Sequence, residues 1–266
     1  MTQSKSNMSS ADGSYETDLV SREIIRGKLL AVADEMGVVL QRSSMSPVIY
    51  EVLDFACGFC DASGQLVSQT NGITVFTGTF SIQTAVILEK FGDQLRPGDI
   101  YILNNPFDGG THYNDVGIIK PIYVNDELFA FAISISHWTD VGGKSPGSLP
   151  ADATEIFQEG ICFPGLLLYK DDKPERTVFE MVEANVRMPK MALGDLNAAV
   201  ASVRIADKRC QELCEKYGSK SVSETFHHIL STSEAVSRAA VAELPDGVYR
   251  ATDWIDGDGI TDDRFP

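Results

Sequence analysis

Two apolar runs, Val116 to Val124 and Leu128 to Ser136, are parted by a short polar break that holds Asn125 and Asp126. That arrangement predicts a β-hairpin, because Asn and Asp tolerate the left-handed backbone of a tight turn. Other strand signals stand upstream: Asp54 to Cys60 and Ile73 to Phe80, bounded by Asp61-Ala-Ser-Gly64 and Asn71-Gly72, then Asp99 to Leu103. Helical periodicity occupies other stretches. It runs from Leu19 to Leu40 through Ile24, Ile25, Leu29, Val32, Met36 and Val39, and from Ser81 to Phe91, which Gly92 ends. After Gly194 a long helix follows through Leu196, Ala199, Val200, Val203, Ala206, Cys210, Leu213 and Tyr217 to Gly218, and a second runs from Ser223 to Glu243. The segment around Val178 is too short to assign. The expectation is an α+β fold with mixed sheets, flanking helices and a long helical pair toward the C-terminus.

The domain organisation expected is a polar, disordered tail over residues 1–14, a main domain over 15–243, and the start of a further β region over 244–266. That last region contains a strand through Val248 to Trp254 and breaks off in an acidic loop.

Composition excludes several function classes. With 38 acidic against 22 basic residues the net charge is -16, which disfavours attraction to phosphate backbones or anionic lipid. Neither nucleic acid nor a membrane surface is an expected partner. No run approaches the roughly 20 apolar residues of a membrane span, and Met1 to Gly13 is polar. A cytoplasmic location is expected. The five cysteines, an odd number in a chain of this size, are expected to be reduced.

Chemistry concentrates in two Gly-rich loops, each following a strand signal. They read Asn104-Asn-Pro-Phe-Asp-Gly-Gly-Thr-His112-Tyr-Asn-Asp115 and Ser136-His137-Trp-Thr-Asp140-Val-Gly-Gly143. Both contain His-x-x-Asp, and imidazole with carboxylate is the usual donor set for Mn, Fe and Zn. The alternative is that each histidine caps a turn or bonds a carbonyl. His227 and His228, among Ser and Thr in the last helix, read as ordinary surface or core residues. Cys57-Gly-Phe-Cys60 lies in a strand run, unlike a redox pair that opens a helix, and with Cys210 and Cys214 it reads as core packing. Gly143-Lys-Ser145 imitates the end of a phosphate-binding loop, but Trp138 stands where the first glycine is needed. Asp256-Gly-Asp258-Gly similarly fails as a calcium loop at Thr261.

Taken together, the phrases Leu40 to Ser46 with Glu51-Val-Leu-Asp54-Phe, Gly98 to Asp115, His137 to Gly143, Gln158-Glu-Gly160, Asn185 to Pro189 and Gly194-Asp-Leu196 resemble the hydantoinase B/oxoprolinase family, which includes the large metal-bearing component of acetone carboxylase. The resemblance spans residues 15–266 and the N-terminal part of a longer family pattern. It implies that the main domain is a metal-binding catalytic domain holding a divalent cation through Glu51, His112, Asp115 and His137. Mn suits that set best, with Zn or Fe as alternatives. Asp140 would orient His137 or a water, and Arg187 would grip a substrate carboxylate or phosphate, with an internal salt bridge as its equal alternative. It further implies a hetero-oligomeric enzyme in which ATP is held by a hydantoinase A-like partner. The expected reaction is ATP-dependent opening of a cyclic amide such as a hydantoin or 5-oxoproline. A ketone carboxylase of the acetone or acetophenone type and a non-catalytic structural role are the alternatives.

Overall fold

The computed structural model describes residues 17–254. Among these residues seven strands form one sheet in the order β2-β1-β5-β4-β3-β6-β7, and every pairing is antiparallel. Their ranges are β1 Phe55–Asp61, β2 Leu66–Gln69, β3 Ile100–Leu103, β4 Asp115–Val124, β5 Glu127–His137, β6 Leu166–Lys170 and β7 Lys173–Pro174. The helices are α1 Leu19–Ser43, α2 Pro47–Tyr50, α3 Thr74–Phe91, α4 Arg176–Asn185, α5 Pro189–Tyr217 and α6 Ser219–Ala242. The fold is α+β as expected, and among the described residues the strands make one antiparallel sheet where mixed sheets were expected.

The hairpin stands at the centre of the sheet. Asn125 and Asp126 take φ values of 53° and 64°, the left-handed pair that a two-residue hairpin turn requires. Both faces of the sheet are covered, which is why these strands are apolar at nearly every position rather than at alternate ones. On one face Val116, Ile118, Ile122, Ala130 and Ala132 pack with Cys57 and Phe59 against α1, α4, α5 and α6. On the other, Ile119, Phe131, Ile133 and Ile135 pack with Tyr101 and Leu103 against Phe76, Phe80 and Ile87 of α3.

Two sequence expectations fail. Ile73 to Phe80 forms no strand: all but its first residue lies in α3. Phe76, Phe80, Thr84 and Ile87 recur at helical spacing and are buried, so tertiary packing overrides the local preference of Val and Thr for strands. Val248 to Trp254 is also not a strand; Val248, Tyr249 and Trp254 are exposed, with no sheet edge against them. The helices expected from Leu19, Gly194 and Ser223 onward are present, and the segment around Val178 is α4. The tail over 1–14 and the Asp256-Gly-Asp258-Gly phrase lie outside the described residues. Among the described residues no helix is long and apolar enough to cross a membrane.

Candidate metal centre

Antiparallel pairing brings the start of β4 and the end of β5 to the same edge of the molecule, where Asp115 faces His137 in register. Asp115, Gly117 and Ile119 share one face of β4, and Ile119 belongs to the cluster that packs on α3. The side chains at the site therefore emerge on the α3 side. His112 reaches them from the loop that precedes β4.

Asp115, only 3% exposed, is the hub. Its Oδ1 lies 3.0 Å from His137 Nδ1 and its Oδ2 lies 3.1 Å from His112 Nδ1. Thr111 Oγ1 donates a hydrogen bond to Oδ2 as well. The two imidazoles stand edge to face with centroids 5.0 Å apart. One donor atom from each of His112, Asp115 and His137 falls within 4.8 Å of the others.

The residues bearing these groups are held by buried amides. Asn104 Nδ2 donates to the carbonyls of Tyr113 and Ile161, and its Oδ1 accepts from Phe163 N. Asn114 Nδ2 donates to the carbonyls of Trp138 and Gly147, stapling the two Gly-rich loops together.

Asp54 is the residue that sequence reasoning passed over. It ends the arm after α2, its carbonyl accepts from His137 N at 3.0 Å, and its Oδ2 lies 3.9 Å from His137 Nδ1. Burial and, more weakly, the Asp115 charge push its carboxyl above the usual range, while His137 and His112 pull the other way. Leu53 before it adopts φ 62°, a left-handed conformation that a bulky side chain rarely takes. The only signal in the sequence was its place as the polar residue just ahead of a strand.

Glu51 lies outside the three-residue cluster. It is exposed at the C-terminal end of α2. Asp140 has partners other than His137: its carboxylate accepts from Gly142 N, Gly147 N, Arg187 N and Arg187 Nη1. Burial acts to raise its pKa, but these donors outweigh that effect and hold it below the usual carboxylate value. The Arg187 guanidinium is committed to Asp140 and to the carbonyls of Gly142 and Gly143, which is the internal salt bridge that the sequence left open. Thus Asp140 and Arg187 organise the loop behind His137.

The donor set suits a cation. His112 Nδ1 is buried and makes no aligned hydrogen bond, although the Asp115 carboxylate lies within reach. Two imidazoles and a shared carboxylate, one nitrogen making no aligned hydrogen bond, match the mixed N and O ligands of mid-row divalent metals.

The sequence profile of the hydantoinase B/oxoprolinase family matches residues 18–264. The chain belongs to this family. A candidate D-/L-hydantoinase component of the B type, from a Pseudomonas species, is 33% identical over 92% of this chain and 42% of its own length. The acetophenone carboxylase delta subunit of Aromatoleum aromaticum is 31% identical over 75% of this chain and 29% of its own length. The crystal structure of the ATP-dependent caprolactamase from Pseudomonas jessenii superposes with a TM-score of 0.83 at 26% identity, covering 87% of this chain and 40% of that one. The chain thus spans about two fifths of the length of the hydantoinase and caprolactamase chains it matches.

The cysteines behave as core residues. All five are free. Cys57 and Cys60 pack on opposite faces of the sheet, and burial pushes their thiols up to about 11 and about 12. His227 is exposed and His228 half-buried on α6.

Proposed function

We propose that this chain is the metal-binding part of an ATP-dependent hydrolase that opens a cyclic amide of the hydantoin or 5-oxoproline type. The observation that carries the reading is the convergence of His112, Asp115 and His137 around a buried imidazole nitrogen without an aligned hydrogen bond. These three residues would hold a divalent cation, Mn before Zn or Fe. Glu51 joins them on the resemblance alone.

A cation there supplies a polarised carbonyl or a bound water whose pKa is brought toward neutrality. The chain's own residues do the rest. Thr111 and the two imidazoles surround Asp115 and fix its orientation. Asp54 Oδ2, 3.9 Å from His137 Nδ1, is the adjacent carboxylate oxygen placed to accept a proton. Asp140 and Arg187 brace the loop that follows His137.

ATP is assigned to a hydantoinase A-like partner, giving a hetero-oligomer. The nearest imitation of a phosphate cradle, Gly143-Lys-Ser145, has its lysine paired with Asp152. Similarity to a component of acetophenone carboxylase favours a second reading, ATP-dependent carboxylation of a ketone. The deciding assay measures ATP turnover by the chain with and without its co-purified partner, against a hydantoin, 5-oxoproline, and a ketone with bicarbonate. Turnover that depends on a cyclic amide and on the partner is expected. Turnover with ketone and bicarbonate alone would replace the first reading with the second.

A further inference from the structure

We propose that Gln83 is a positioning residue for the metal centre: from α3 it pins the turn that carries His112, so that this imidazole meets Asp115. The inference rests on the metal-binding reading above and adds a residue to it.

Gln83 is 1% exposed on the sheet-facing side of α3, in a row otherwise filled by Phe76, Phe80 and Ile87. Its Nε2 donates to the carbonyl of Gly109 at 3.2 Å and to Thr79 Oγ1 at 3.3 Å. Gly109 stands three residues ahead of His112, so the bond fixes the near end of the segment that delivers the imidazole. The orientation of the amide follows from chemistry, since a carbonyl can be met only by its NH2 end.

Two glycines make room for this contact. A Cβ at Gly117 would lie 2.4 Å from Gln83 Oε1, closer than the two atoms can stand. Gly117 is two residues beyond Asp115 on the same face of β4, about 7 Å along the strand, so the amide sits behind the Asp115 carboxylate. At Gly109, where φ is 85°, a Cβ would lie 2.5 Å from Ile82 Cγ2. The turn can therefore lie directly on α3 only with glycine there.

The arrangement is not what packing alone would select. Gln83 Oε1 is buried without a hydrogen-bond partner, an unfavourable state that a methionine of similar volume would avoid. What the amide adds over methionine is the bond to the His112 turn. Groups hydrogen-bonded directly to a metal ligand typically change metal affinity by about tenfold or more when removed, and Gln83 acts one step further back, through the backbone of Gly109.

The test compares wild type, Gln83→Met and Gln83→Ala by cobalt(II) titration followed in the visible spectrum, with thermal melting of each metal-free protein. Gln83→Met should melt at or above the wild-type temperature, yet bind cobalt about tenfold more weakly and with an altered spectrum. Gly117→Ala, which displaces the amide without changing α3, should reproduce the spectral change. Wild-type affinity and spectrum in Gln83→Met would overturn the proposal. So would an affinity loss that only tracks a loss of melting temperature across the variants. If the wild type itself bound no cobalt, the metal-binding reading would fall, and this proposal with it.

Discussion

Asp115 and His137 face each other across the central hairpin, with Asp115 Oδ1 3.0 Å from His137 Nδ1, so the register of β4 and β5 itself builds half of the site. A one-residue slip of either strand would turn its member of the pair to the opposite face from the other. The Asn125-Asp126 turn at the far end of the same hairpin, together with the one-residue register shift between Ile122 and Tyr123, sets that register. The geometry at one end of the strands thus depends on the turn and the bulge near the other.

The brace behind His137 makes a prediction about acid stability. Asp140 is 3% exposed and accepts four hydrogen bonds, so Asp140→Ala should cost about 2–4 kcal/mol in urea denaturation. Its folded-state pKa is depressed below 3.8, so its contribution is present above that value and is lost as pH falls through the folded pKa. The gap between wild type and mutant should be constant near neutrality and narrow only in strong acid. A gap that narrows between pH 5 and pH 7 would contradict this account.

Asp195 gives the opposite sign. Its Oδ1 accepts from the backbone of Met45 and Ser46, tying α5 to the turn before α2, while its Oδ2 is buried without a partner. Burial raises its pKa above 3.8, with hydrogen bonds from Met45 and Ser46 opposing. The charged form is therefore disfavoured in the fold, and stability falls as pH rises from the unfolded value through the folded one. Asp195→Asn keeps the acceptor and removes the charge, so at neutral pH it should be at least as stable as wild type. Asp195→Ala should be less stable by about 1–2 kcal/mol. Thermal melts of both across pH 3 to 8 check this; an Asn variant as unstable as the Ala variant would refute it.

Much of this was legible in the sequence. The hairpin, the long helices and the two His-x-x-Asp loops rest on short-range signals, which sequence carries well: turn residues, apolar periodicity and Gly-rich loops after strands, whereas the joining of His112 and Asp115 with His137 in one site came from the family resemblance. What escaped depends on tertiary context. Ile73 to Phe80 has the look of a strand because Val75 and Thr77 prefer one, but the sheet face it covers rewards a helix. Asp54 escaped because only the fold brings it beside His137. Arg187 showed two equal readings because nothing local to residue 187 reveals the carbonyls of Gly142 and Gly143 that occupy it.

The thiols provide a compact check on the core. With Cys57 and Cys60 buried and titrating far above neutrality, neither should react with iodoacetamide in the native protein at pH 7, whereas all five cysteines should react once it is denatured. Serine at Cys57 or Cys60 should lower stability and leave bound metal unchanged. Metal lost in step with the thiols would move the site from the histidines to the cysteines.

The most direct measurement is the divalent metal bound by the purified chain and by its His112→Ala and His137→Ala variants, with His227→Ala as control. Each site variant should keep its circular dichroism spectrum and lose most of its metal, while the control retains the wild-type amount, because His227 is exposed on α6 and far from the hub residue in sequence. Stoichiometric metal in both site variants would contradict the account at its centre.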